Sequence, residues 1–282
     1  MYEIDRVLIA KSKKKSKKIL SKIWTFFKKN FLKKNITPES KFSGWGLEIN
    51  HSEPPWNILP TKSDLNFLEI NEELLGLINN GDFKLTQFEY YDTNYKKILD
   101  ELKWRHYLIF NSCLNLIQNT DNKKKVLVEC GVCDGLTFFF AASALFSKNV
   151  DFEGFLYDSW SKFSFDYKRD IYDYSYLSVD IAKQNLFKFN KSLNFIEGNI
   201  PKTFKNSIIP KNIDFLHIDL NSSDATLDTL DFFYKKILSN GIIIFDDYGR
   251  IQYEKEVIDN FFVDKKGNFF STPTGQAIFL KS

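Results

Sequence analysis

The sequence predicts an α/β fold: a mostly parallel sheet covered by helices, with a helical cap ahead of it and a basic amphipathic segment at the N-terminus. Three observations lead there. From residue 125 onward, apolar runs of strand length alternate with helical patterns, which is how a chain builds a parallel sheet. One strand-to-helix junction, Lys125 to Thr137, carries two glycines behind an acid. The strand-like runs end in polar or acidic residues, at the edge where open α/β sheets bind ligands.

The chain of 282 residues can hold one large domain or a core domain with an appendage, and 43% hydrophobic residues is a globular composition. It has no run of about 18 apolar residues, so no spanning helix is expected. The N-terminus lacks the apolar stretch and small-residue cleavage site of a secretory signal. The expected location is therefore the cytoplasm. Cys113, Cys130 and Cys133 are an odd number, which argues for a reducing compartment and against a disulfide framework. Cys130 and Cys133 have C-x-x-C spacing, but no second Cys/His pair accompanies them to make a zinc site, and packing is the expected role.

Residues 1–35 form a first segment. Arg6 and eleven lysines stand against Glu3 and Asp5, a net +10 that leaves −7 for the rest of the chain. Ile19, Leu20, Ile23, Trp24, Phe27 and Phe31 recur at helical spacing with lysines on the other side. Such a helix suits either an anionic membrane surface, met through residues 11–34 at the inner face, or docking on the chain's own body or a second copy. No specific nucleic-acid module accompanies it.

Residues 36–120 read as a cap that shapes the substrate site. Residues 36–60 are loop-like, with Pro38, Pro54, Pro55 and Pro60, and helical patterns follow over 63–80 and 92–118. Arg105 and His106 lie on the second of these and are expected on the helix surface or satisfied in the core.

Residues 121–282 hold the sheet. Strands are expected at 126–130, 153–158, 193–197, 213–219 and 241–246. Helices are expected at 136–147, 177–189, 224–238 and 252–262, and an antiparallel pair at 267–272 and 276–281 closes the chain. The first junction reads acid-x-Gly-x-x-x-Gly: Glu129, Gly131 and Gly135 ahead of an apolar helix. A dinucleotide turn would want the tighter G-x-G-x-x-G. The pattern resembles the first motif of the class I S-adenosylmethionine methyltransferases. That resemblance implies a Rossmann-like, seven-stranded sheet in the order 3-2-1-4-5-7-6, a glycine turn under the methionine part of the donor, and an acid near its ammonium group.

The strand ends supply the rest. Strand two ends at Asp158-Ser159, about twenty residues past the turn, where an acid can take a ribose diol. Strand three runs into Gly198-Asn199, close to the expected adenine. Strand four ends at Asp219, with His217 two residues earlier, and strand five ends at Asp246-Asp247. Asp224 reads as a helix N-cap. Asp219, Asp246 and Asp247 would repel one another unless a cation neutralised them, and carboxylate oxygens suit Mg²⁺.

Asp158-Ser159-Trp160, Leu216-His217-Ile218-Asp219, Gly241 through Gly249 and Pro273-Thr274-Gly275-Gln276 together resemble the TylF/MycF (macrocin) O-methyltransferases over roughly residues 100–282. These are metal-dependent, S-adenosylmethionine-using enzymes that methylate sugar hydroxyls. The resemblance implies Mg²⁺ on Asp219, Asp246 and Asp247, with Asp219 also a candidate base. His217, on the strand just before Asp219, is a second candidate base beside its expected core role. It implies donor contacts from Glu129, Gly131, Gly135, Asp158, Ser159, Gly198 and Asn199. The expected acceptor is a small-molecule or glycan hydroxyl, and a homo-oligomer is compatible with the sequence. One departure stands out: where the antibiotic-sugar enzymes read Gly-Asp-Leu-Tyr after the aspartate, this chain has Leu220-Asn221-Ser222-Ser223. Two other classes fit parts of the pattern: an NAD(P)-binding oxidoreductase, and a non-catalytic membrane-surface binding protein.

Overall fold

The computed structural model describes residues 62–86, 94–118, 124–160, 176–205 and 207–282, together with the backbone of two short strands at Phe163–Ser164 and Tyr172–Asp173. The basic segment 1–35 and the proline-rich stretch 36–60 lie outside the described residues.

Seven strands form one sheet: β1 (Lys125–Cys130), β2 (Phe152–Asp158), β3 (Leu193–Glu197), β4 (Ile213–Ile218), β5 (Ile237–Phe245), β6 (Gly267–Ser271) and β7 (Ala277–Lys281). The order across the sheet is β3-β2-β1-β4-β5-β7-β6, the order that the methyltransferase resemblance implies. β1 to β5 pair in parallel, and β7 runs antiparallel to both β5 and β6. The helices are α1 (Lys62–Asn79), α2 (Tyr95–Gln118), α3 (Leu136–Phe146), α4 (Val179–Asn185), α5 (Ser223–Phe233) and α6 (Gln252–Phe262). Among the described residues no helix is long and apolar enough to cross a membrane.

Side chains alternate between the faces of a strand, and this alternation divides the core. Leu127, Phe215, Ile242 and Ile244 pack on one face with the apolar stripes of α1, α2 and α3. Val128, Leu216, Ile243 and Phe245 pack on the other with Leu230, Phe233, Ile258 and Phe262 of α5 and α6. Helix α3, LTFFFAASALF, is buried almost all round because α2 and the sheet cover it from two sides. Running each alternation two residues further places Glu129, His217, Asp219 and Asp246 on the face that α2 covers.

Two differences from the sequence reading lie near helix ends. The helix expected over 177–189 stops at Asn185, and a 3₁₀ turn follows over Phe187–Ser192. The Asn185 side chain accepts from Lys84 N (2.8 Å) and donates to Lys84 O and Asp134 O (2.8 Å each), tying the helix end to the glycine turn. At α5 the cap is Ser222, whose hydroxyl accepts from Ala225 N at 3.4 Å, and Asp224 falls inside the first turn.

Candidate active site at the carboxyl edge of the sheet

The glycine turn is held by protein atoms on three sides. Gly131 N–H donates to Tyr157 O at 2.9 Å, and Asp219 N–H donates to Cys130 O at 2.8 Å, so the ends of β1, β2 and β4 are laced together. Gly131 has a φ of +89°, and a β-carbon there would meet the backbone carbonyl of Asp219. Gly135 caps α3 with a φ of +90°, and a β-carbon there would press on Leu186. Both positions therefore require glycine for conformation and for packing within the chain. Gly198 (φ +133°) donates to Asp158 O at 2.9 Å, and Asn199 is exposed beside it.

Asp158 closes the turn. Its Oδ2 accepts from Val132 N and Cys133 N, both at 2.8 Å, and its Oδ1 accepts from Trp160 N at 2.8 Å. Trp160 in turn donates from its ring nitrogen to Cys133 O at 2.8 Å, and Ser159 between them is half-buried. Burial raises the Asp158 pKa, and the backbone amides pull the other way. Cys130 and Cys133 are thiols, and burial pushes both well above their ordinary range, so neither is a ready thiolate.

A buried polar row crosses the sheet edge. Glu129 and His217 are register partners on β1 and β4, and Glu129 Oε1 lies 2.8 Å from His217 Nδ1. His217 Nε2 is 3.4 Å from Asp246 Oδ1. Burial, then Asp219 and Asp158, push the Glu129 carboxyl well up. Burial and the Arg105 charge bring His217 down to about 3. The raised carboxyl and the lowered imidazole both favour an uncharged pair joined by the Oε1–Nδ1 hydrogen bond. The second oxygen of Glu129, Oε2, is buried without a hydrogen-bond partner among the described residues. A buried carboxyl oxygen left unpaired beside a glycine turn is a place for a cationic or donor group to bind.

Arg105 enters this row from α2. It is 7% exposed. Its Nε donates to Asp246 Oδ1 at 2.8 Å, its Nη2 is ion-paired with Asp246 Oδ2, and the same Nη2 lies 3.5 Å from Asp219 Oδ2. Gln276 Nε2 adds a further hydrogen bond to Asp246 Oδ1 at 2.9 Å, and Thr274 donates to Gln276 at 2.9 Å. Asp247 faces Arg250, 3.8 Å away. Asp219 is half-buried, and burial and Asp247 raise its pKa to about 7 against the pull of Arg105.

The sequence places these acids at this edge but does not reveal the arginine between them. Arg105 was expected on the helix surface or in the core, yet it bridges Asp219 and Asp246. A signal was available: Arg105 sits three residues after Leu102 and four before Ile109, on the apolar stripe of its helix, where an unpaired charge is not tolerated. Gln276, Asn185 and Trp160 also support the site. His106, by contrast, is a core residue stacked on Phe140 at 4.6 Å.

These contacts test the expected groups. S-adenosylmethionine fits: an unpaired buried oxygen on Glu129 suits its ammonium, and Asp158 ends β2 beside the glycine turn. Mg²⁺ on Asp219, Asp246 and Asp247 does not. Asp246 Oδ1 is taken by Arg105, Gln276 and His217, its Oδ2 is paired with the guanidinium, and among the described residues no three His, Cys, Asp or Glu side chains are arranged to hold a metal ion.

Residues 128–248 match a family model described as a methyltransferase domain. Among solved structures, the O-methyltransferase NovP is similar over 78% of this chain and 100% of its own, with a TM-score of 0.62 and 20% identity. CalS11, a calicheamicin methyltransferase, is similar over 79% of this chain and 94% of its own, with a TM-score of 0.52 and 12% identity. Comparison with the curated proteins found no match. The chain thus has the Rossmann-like fold of these methyltransferases, with the methyltransferase-domain match running from β1 to the turn after β5.

Proposed function

We propose that the protein is an S-adenosylmethionine-dependent O-methyltransferase acting on a hydroxyl of a sugar or glycoconjugate. One observation carries the reading: the unpaired, buried Glu129 oxygen beside a glycine turn, in an edge crowded with acids. Such an edge favours a ligand that brings positive charge. The fold shared with the O-methyltransferase NovP supports transfer to oxygen. The sugar acceptor rests on the resemblance of the motifs at Asp158, Asp219, Asp246 and Pro273 to the TylF/MycF enzymes.

When bound, S-adenosylmethionine supplies a methyl group on a sulfonium, which passes to the acceptor oxygen by in-line displacement. Glu129 and the Gly131–Gly135 turn would hold the amino-acid end, Asp158 and Ser159 would take the ribose, and Gly198-Asn199 would border the base. Asp219, with a pKa of about 7, is matched to accept the hydroxyl proton at neutral pH. His217 is buried between Glu129 and Asp246, where it would orient the two carboxyl groups. Donor binding is tested by calorimetry with S-adenosylmethionine against NAD. Turnover is tested by incubating the full chain with labelled donor and a panel of glycosides. Heat with NAD and none with S-adenosylmethionine would sink the reading.

A further inference from the structure

Acids gathered at one buried edge need a neutralising charge, and here the chain provides its own. We propose that Arg105 is the resident cation of this site, standing in the place where the sequence resemblance puts a divalent metal, and that methyl transfer proceeds without any divalent ion. The inference rests on the methyltransferase reading above and deepens it.

Occupied lone pairs and geometry both point this way. The guanidinium meets Asp246 with two of its nitrogens and reaches Asp219 with Nη2 at 3.5 Å, so a single planar cation spans two of the three aspartates. Arg is suited to this: it carries a fixed charge and a rigid fork of donors that matches a carboxylate. Gln276 and His217 fill what Arg105 leaves open on Asp246 Oδ1. For a metal to bind Asp246, these donors would have to be broken away and the guanidinium driven out of a buried site, where it would lose its partners. Asp247, the remaining acid, is turned towards Arg250. Three carboxylates that could have converged on an ion are instead shared between two arginines.

The consequence for catalysis is specific. A divalent ion acts on the acceptor by binding its oxygen directly. Arg105 acts through Asp219: it holds that carboxylate in place and limits how far its pKa climbs. It is a positioning residue. With no chelating ion, an acceptor gains nothing from presenting two adjacent hydroxyls, so isolated hydroxyls should be methylated as readily as vicinal diols.

The test uses the full chain and Mn²⁺ as probe, followed by the loss of its free-ion paramagnetic resonance signal. Wild type should show no saturable Mn²⁺ site, and turnover should be unchanged by EDTA. Arg105→Met, which strips the acids of their counter-charge, should gain a saturable Mn²⁺ site, whereas Arg105→Lys should not. A stoichiometric Mn²⁺ site in wild type that disappears in Asp246→Asn would overturn the proposal, and so would turnover abolished by EDTA and restored by Mg²⁺. The wild-type titration decides even if Arg105→Met fails to fold. Donor calorimetry is read separately: absent heat with S-adenosylmethionine counts against the methyltransferase reading and leaves the Mn²⁺ result standing.

Discussion

The carbonyl oxygen of Asp219 occupies the space that a β-carbon on Gly131 would need. The end of β4 is thus seated directly on the glycine turn that follows β1, and Asp219 N–H closes the contact onto Cys130 O at 2.8 Å. Gly131→Ala must both adopt a left-handed φ and displace a strand end, so a loss of more than ~3 kcal/mol is expected. Gly76 in α1 is the control: nothing lies within 4 Å of its virtual β-carbon, and Gly76→Ala should gain about 1 kcal/mol from helix propensity. Urea denaturation of the two variants against wild type checks both. Equal stabilities would show that the Asp219 seat is soft.

Asp158 is a fastener before it is a ligand contact. Backbone amides, those of Val132, Cys133 and Trp160 among them, converge on its carboxylate. Asp158→Ala orphans them and should cost at least ~2 kcal/mol, because hydrogen bonds to a charged acceptor are among the stronger ones. Asp158→Asn can accept at only one oxygen and should fall between. Thermal melts with and without S-adenosylmethionine separate the two roles: the stabilising shift from the donor should shrink in both variants, more in Ala than in Asn.

What the sequence made legible follows from which interactions are local. The strands and the acids at their carboxyl ends were readable because apolar runs ending in Asp219 or Asp246-Asp247 mark their own boundaries. The order of the sheet was not local in this sense and came only with the methyltransferase resemblance. Asn185 ending its helix early was hidden, since its partners Lys84 and Asp134 lie far away in sequence. Arg105 was overlooked for the same reason: it pairs with Asp246 across 141 positions. Periodicity marks Arg105 as buried and cannot say against what. The expectation of magnesium has the same origin: three acids with no visible cation ask for a metal, and Arg105 becomes visible as a neighbouring cation only in the fold.

Glu129 should release its proton when the donor binds. Burial and neighbouring acids hold its pKa high in the free protein, and a cationic ammonium at Oε2 would pull it down. Calorimetric heats of S-adenosylmethionine binding at about neutral pH should then depend on the ionisation enthalpy of the buffer in wild type. Glu129→Gln should abolish that dependence and weaken binding by at least ~10-fold, the value of one lost charge-assisted contact. Buffer-dependent heats that survive in the Gln variant would place the released proton elsewhere.

Asp219 should trade stability for activity, with a sign that pH reveals. Unfolded, an aspartate ionises near ~3.9; folded, Asp219 ionises at about 7, because burial and Asp247 outweigh Arg105. Below the lower value both states are protonated and the residue contributes nothing. As pH rises between the two values the unfolded chain gains a charge that the fold resists, and the penalty is complete once pH passes the folded value. Asp219→Asn removes it. The variant should melt with wild type at about pH 4 and a few degrees above it at about pH 8, at roughly 2–4 °C for each kcal/mol recovered. Turnover should move oppositely: in wild type kcat/KM should climb with a limb near pH ~7 as the base ionises, and in Asp219→Asn that limb should vanish along with most of the activity. A variant that melts higher under acid conditions as well would trace the gain to something other than this carboxyl, and a limb that persists in the Asn variant would assign the base to another residue.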